Sequence, residues 1–239
     1  MLETIIIARH GFRSNWDLPN EVILPTGNPE DPALSKHGEA QSQELCAALV
    51  DSSIDRIYSS PFYRCLQTIS PLATKGKQKV FVENGIGEWF VEKDRPYPAP
   101  SNLEKLSSMF ASVEKSYRPH RTPKDNGESL GSLKDRVTQT LEAIIEDCDQ
   151  AEVKQILLCT HAAINVMSGK ILTNTPNLEV RTGCCSSGVY KRGNNNTWQC
   201  TTNGDCGHLE NGEEMNWSFD QFRGDIRTPN ELLTFYPNA

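Results

Sequence analysis

The chain has 239 residues, 37% of them hydrophobic, enough for one large domain or two small ones, and a formal charge of −7. That charge argues against a general basic surface for nucleic acid, so any contact with DNA is expected to run through a partner. No apolar run nears the roughly 20 residues needed to cross a bilayer. Residues 1–10 lack the basic leader and long apolar core of a secretion signal, so the chain is expected inside the cell.

In chain order, the apolar stretch at residues 4–8 predicts a short strand buried on both faces, as in a parallel sheet. Residues 34–49 carry a helical pattern, with Ala40, Leu45, Ala48 and Leu49 on one side. Residues 54–60 predict a second strand, stopped by Pro61. Residues 64–73 read as a helix that Pro71 should end or kink, and residues 79–83 as a third strand. Residues 89–128 are rich in proline around a helix candidate near 101–117, and read as an excursion covering the active site. In residues 130–148, Leu130, Leu133, Val137, Leu141, Ile144 and Cys148 recur at three- and four-residue steps, with Ser129 or Ser132 as cap. A buried strand at 155–159 and a helix at 162–172 follow. Residues 188–191 and 197–202 predict edge strands around the turn Gly193-Asn194-Asn195-Asn196. Strands alternating with helices imply an α/β three-layer sandwich, its central sheet mainly parallel and helices on both faces. The expected domain is 1–202, and 203–239 is a tail that either packs on it or docks a partner.

The chemistry sits at the strand ends, where open α/β sheets bind ligands. The first strand runs into Arg9-His10-Gly11-Phe12-Arg13, the second into Ser59-Ser60-Pro61-Phe62-Tyr63-Arg64, and the late one into Thr160-His161-Ala162. Together they predict two imidazoles among three guanidiniums, a site for a multiply charged anion. Gly11 is expected to let backbone approach that anion. A neutral imidazole can attack phosphorus, and planar guanidiniums grip phosphate oxygens in pairs. Glu88, beside Trp89, is the candidate proton donor, with exclusion of water expected to raise its pKa. Taken singly, Arg64 fits a helix-surface residue, His161 a hydrogen-bonded core histidine and Glu88 a solvated loop carboxylate; their joint placement favours a site. His37, His120 and His208 read as surface residues. The eight cysteines read mostly as free thiols. Cys184, Cys185, Cys200, Cys206 and His208 lack a C-x-x-C pair, which disfavours zinc.

These motifs resemble the histidine phosphatase, or phosphoglycerate-mutase-like, superfamily over about residues 4–192. Arg9-His10-Gly11 is similar to its nucleophile signature, and residues 32–41 to its leucine–x–x–x–glycine–x–x–glutamine helix start. Ser59-Ser60-Pro61-Phe62-Tyr63-Arg64 resembles its second pocket segment, and Thr160-His161-Ala162 its second histidine motif. Glu88-Trp89, and an arginine three residues after the nucleophile, resemble the branch holding the ubiquitin-associated, SH3-containing tyrosine phosphatases. The resemblance implies His10 as nucleophile, Arg9, Arg13, Arg64 and His161 as phosphate holders, Glu88 as proton donor, and no metal or other cofactor. The short excursion argues against a phosphoglycerate mutase. A narrower resemblance, including Gly212-Glu213-Glu214-Met215-Asn216-Trp217-Ser218-Phe219-Asp220, is to the tau subunits of fungal transcription factor IIIC that carry this domain. It implies other factor subunits as partners, a phosphate or phosphoester in the pocket, DNA reached only through partners, no membrane, and a nuclear location. The tail motif has no catalytic rationale from sequence, and Trp217, Phe219, Phe222, Phe235 and Tyr236 either pack back or dock a partner.

Overall fold

A computed structural model describes residues 1–17, 22–91 and 97–222, with only the backbone of Gln221 and Phe222. Its sheet is ordered β3-β2-β4-β1-β5-β6. Four strands are parallel: β1 (Thr4–Arg9), β2 (Arg56–Ser59), β3 (Val80–Val82) and β4 (Gln155–Thr160). The hairpin β5 (Ser187–Arg192) and β6 (Trp198–Asp205) adds two antiparallel strands beside β1. The mainly parallel three-layer α/β sandwich expected from the strand–helix alternation is therefore present.

Period-two side-chain alternation divides the core. Ile5 and Ile7 of β1, with Ile156 and Leu158 of β4, pack under α5 (Leu130–Gln150) and α6 (Ala162–Leu172). Ile6, Ala8, Leu157 and Cys159 face the opposite layer of α2 (Lys36–Leu49) and α3 (Tyr63–Gly76). A short helix α1 (Ser14–Asp17) follows the first strand–loop, and α4 (Leu103–Met109) lies in the excursion. Ser129 caps α5, accepting from the Ser132 amide at 3.2 Å.

Three expectations need correction. Of the two outcomes expected at Pro71, an end or a kink, the end does not occur: helix α3 continues to Gly76. Proline cannot donate to the carbonyl four residues back; Ser42 Oγ reaches that Gln67 carbonyl at 3.4 Å and Thr68 O at 2.7 Å, so the gap in the ladder is bridged from α2. The helix candidate at 101–117 shrinks to α4, because Phe110 turns extended and Val113 forms a parallel bridge with Val80. Hydrogen bonds from Val80 N to Ser112 O and from Glu114 N to Val80 O compete for that backbone and close the β3 edge. Asn203–Asp205, assigned to the tail from sequence, complete β6. Among the described residues no helix is long and apolar enough to cross a membrane.

Candidate active site

Arg9, His10, Arg13, Arg64 and Glu88 line one cleft of about 230 Å³ at the carboxyl ends of β1, β2 and β4, with Trp16 and Trp217 in its walls. His161 joins them as the cap residue of α6; its ring centroid is 5.3 Å from that of His10. All six residues singled out from sequence therefore meet. Trp89, Phe90 and Val91 also line the cleft, whereas Leu106, Phe110 and Val113 of the excursion pack with the α2–α3 layer at the sheet edge.

The loop bearing His10 is pinned to α2 and α3. Phe12 N donates to Gln41 Oε1 (2.9 Å), Ser35 N to Phe12 O (2.9 Å), and Gly11 N to Thr68 Oγ1 (3.0 Å). The space left by Gly11 is not toward the anion, as the sequence suggested: a Cβ there would meet Gly38 O at 2.8 Å and Cys185 Sγ at 3.2 Å. Gly38 is the reciprocal half of this crossing, its ideal Cβ falling 2.1 Å from Phe12 O. Leu34, Gly38 and Gln41 are thus a docking face for the His10 loop. Helix propensity alone would make Gly38→Ala stabilising by about 1 kcal/mol. Backbone collision wins, and a net loss of about 1–3 kcal/mol is expected in urea unfolding.

His10 is 2% exposed, and its Nδ1–H donates to Gly11 O at 2.8 Å, which leaves Nε2 as the basic nitrogen. Burial, then Arg64, Arg9, His161 and Arg13, hold its pKa well below the ordinary imidazole value. His161 is shifted the other way. Burial opposes its charge, but the Cys65 sulfur and the Glu88 carboxylate raise it. Its Nδ1 lies 3.1 Å from Glu88 Oε2, and its Nε2 is 2.7 Å from Ser60 Oγ. Two imidazoles driven apart in this way suit different jobs, a neutral nucleophile and a cationic oxygen holder.

Arg64 is wholly buried. It donates to Glu30 O (3.2 Å), Asp31 Oδ1 (3.4 Å) and Glu88 Oε2 (3.2 Å). Arg13 stacks over Trp16 at 4.0 Å, its pKa pushed down to about 10 by burial and then by Arg64, which leaves it cationic at neutral pH. The Nε atoms of Arg9, Arg13 and Arg64 are buried without a partner among the described residues. Buried donors of this kind call for an acceptor, and a phosphate supplies up to three oxygens. His10, Glu88 and His161 bring donor atoms within 4.8 Å of one another, a spacing a metal ion could bridge. The adjoining guanidiniums oppose a cation there and favour an anion.

Glu88 departs from its expected state. Burial does push its carboxyl up, but His161, Arg64 and Arg13 outweigh burial and hold it well below the usual carboxylate range. Charge next to the carboxylate, not exclusion of water, decides. Its loop is held by Arg136 Nη1 on Gly85 O (2.7 Å) and Gly87 O (3.1 Å), and by Thr160 Oγ1 on Ile86 O (2.7 Å).

Sequence reasoning missed several supporting groups. Asp31 and Ser60 seat Arg64 and His161; Glu128 pairs with Arg136 at 2.6 Å. The carbonyls of Thr182 and Met215 accept from Arg9 Nη1. Backbone acceptors leave no trace in residue type. The three histidines read as surface residues each have a partner: His37 with Glu214 (2.5 Å), His120 with Asp147 (3.2 Å), His208 with Cys185 O (3.1 Å). All eight cysteines are free thiols. Trp217 and Phe219 pack back on the domain, their rings 4.9 Å apart and Phe219 5.6 Å from Trp89. The side chains of Phe222, Phe235 and Tyr236 lie outside the described residues.

Comparison with known proteins agrees with this geometry. The profile of the histidine phosphatase superfamily (branch 1) matches residues 5–198. The transcription factor tau 55 kDa subunit of Saccharomyces cerevisiae is 33% identical over 257 residues, covering 92% of this chain and 59% of that protein. The chain therefore spans about three fifths of that relative's length. The ubiquitin-associated and SH3 domain-containing protein B of Mus musculus is 30% identical over 167 residues, 64% of this chain and 26% of that protein. In fold, the crystal structure of the ecdysone phosphate phosphatase from Bombix mori in complex with tungstate superposes with a TM-score of 0.66 at 16% identity, over 84% of this chain and 92% of that one. Fold, strand-end motifs and a match across most of its length agree that this chain belongs to the histidine phosphatase superfamily.

Proposed function

We propose that this chain is a subunit of the RNA polymerase III general transcription factor IIIC. In this reading its histidine phosphatase domain serves assembly with the other subunits and keeps a phosphate pocket of weak phosphatase activity. The observation that carries the reading is the 33% identity to the yeast tau subunit across 92% of the chain. A nuclear location and contact with DNA only through partner subunits follow, the latter in keeping with the −7 charge. Affinity purification of the tagged protein from its own cells should recover other factor IIIC subunits; recovery of none refutes the assembly role.

The convergence of six phosphate-handling groups favours a second reading, a free-standing phosphomonoesterase or protein phosphatase. Either way the pocket's chemistry is the same. His10 Nε2 attacks phosphorus, forming an N–P bond as the P–O bond to the leaving group breaks. Arg9, Arg13, Arg64 and His161 balance charge on the non-bridging oxygens. Glu88 gives the leaving oxygen its proton, then takes one from the water that cleaves the phosphohistidine to orthophosphate. An ionised resting Glu88 fits this cycle, because a bound phosphate dianion would offset Arg64 and Arg13 and restore the carboxyl's affinity for a proton. Glu88→Gln should slow turnover of a poor, alkyl leaving group about a hundredfold, with a smaller loss on an aryl phosphate that departs unprotonated. Equal losses on both, or a pH–rate profile unchanged from wild type, remove Glu88 as the acid.

A further inference from the structure

The tail motif that the catalytic cycle leaves unused lies directly against Arg9. Arg9 is 4% exposed, and its Nη1 donates to two carbonyls, Thr182 O at 2.6 Å and Met215 O. Residues 182–184 and 214–217 are laced together on either side of it. Thr182 N donates to Asn216 Oδ1 (2.8 Å), Thr182 Oγ1 to Trp217 O (3.1 Å), and Cys184 N to Glu214 O (2.9 Å). The approach is so close that a Cβ on Gly183 would meet Glu213 Cγ at 2.9 Å. Met215 adopts a φ of 55°, a left-handed conformation rare outside glycine, although its side chain is 45% exposed. Burial of that side chain does not account for the conformation; the neighbouring backbone contacts, among them the carbonyl that meets Arg9, hold it there.

The same segment reaches the nucleophile loop and the cleft wall. Glu214 Oε2 accepts from Gln41 Nε2 at 2.7 Å, and Gln41 Oε1 in turn accepts from Phe12 N. Trp217 lines the cleft, and through Phe219 it is packed to Trp89, the neighbour of Glu88. Residues 213–219 lie beyond residue 198, where the match to the family profile ends.

We propose that residues 213–217 are a positioning strap for the phosphate site: they fix the Arg9 guanidinium through the Met215 carbonyl, brace Thr182, whose carbonyl is its second anchor, and set one wall of the cleft, so that anion binding depends on residues outside the shared family domain. This rests on reading the cleft as a phosphate site.

Orthophosphate binding measured by calorimetry tests it in a double-mutant cycle. Asn216→Ala removes the acceptor that holds Thr182. It should weaken orthophosphate about fivefold or more in the wild-type background. With Arg9→Lys, which keeps a cation but not the planar fork, the same change should cost less than twofold. Equal fold-losses in both backgrounds mean that the strap is merely structural, and no loss in the wild-type background means that it does not act on the anion; each overturns the proposal. Thr182→Val, which cuts the bond to Trp217 O, gives a second arm should Asn216→Ala fail to fold, with the same dependence on Arg9 required. Wild-type protein that binds no orthophosphate overturns the phosphate reading and the strap with it, a result distinct from binding that ignores Asn216.

Discussion

Replacing His10 by alanine is expected to lower turnover of an aryl phosphate by about a thousandfold or more, while orthophosphate still binds within a few-fold of its wild-type affinity. The two outcomes separate because different groups carry them. In the proposed reaction the imidazole supplies the attacking nitrogen, and the two nucleophilic side chains against the second histidine, Ser60 and Cys65, are both fully buried, Cys65 hydrogen-bonding Thr160 O. The guanidiniums that would hold the anion keep their own anchors at Thr182, Asp31 and Trp16, none of which passes through His10. Purified wild type and variant assayed side by side decide it, and equal rates mean that the turnover belongs to a contaminant. A parallel loss of orthophosphate binding would instead assign His10 to holding the anion.

The acidic limb of the wild-type profile should reflect the same ring. Burial and four neighbouring cations lower the folded-state pKa of His10, so the proposed nucleophile stays neutral below the ordinary imidazole range near 6.5. The associated stability has a definite sign. An unfolded chain binds the proton first, so the contribution is complete above about 6.5 and is lost as the pH falls toward the depressed folded value. His161 runs opposite, its charged form favoured by the Cys65 sulfur and by Glu88.

Side chains at strand ends were legible in the sequence because a parallel sheet puts them all on one side. An apolar run followed at once by Arg9-His10, or by Thr160-His161, leaves the loop few other places to go. The two-faced burial of Ile5, Ile6 and Ile7 was legible for the same reason. What escaped depends on partners distant in the chain. Pro71 signals a helix end until Ser42, on another helix, takes over the carbonyl it strands. The lowered pKa of Glu88 follows from where Arg64, Arg13 and His161 settle, not from the hydrophobic Trp89 beside it. The role of residues 213–217 was invisible because backbone carbonyls, which every residue owns, do the holding.

Arg64→Met is expected to give the largest stability loss of any single change in the cleft, about 3–5 kcal/mol at neutral pH by urea unfolding, together with a tenfold or greater fall in turnover. Methionine refills the stem of the side chain, so the cost is electrostatic. Asp31 and Arg64 are both fully buried, 3.4 Å apart, and Glu88 lies 3.2 Å from the other side of the guanidinium. Removing the cation leaves two carboxylates facing each other's field, with Tyr63 N and Thr26 beside Asp31, and His161, Trp89 N and Arg13 beside Glu88, as partial compensation. Burial already raises the Asp31 pKa with Arg64 in place, and without it both groups should take up protons more readily when folded. A folded state that binds protons more tightly gains stability as the pH falls. The deficit should therefore be greatest above neutrality and shrink toward the ordinary carboxylate range near 4. Arg64→Lys keeps the charge but cannot span Asp31 and Glu88 at once, so it should recover much of the stability and little of the turnover. A deficit in Arg64→Met that stays constant from pH 8 to 5 would show that packing, not the stranded carboxylates, sets the cost.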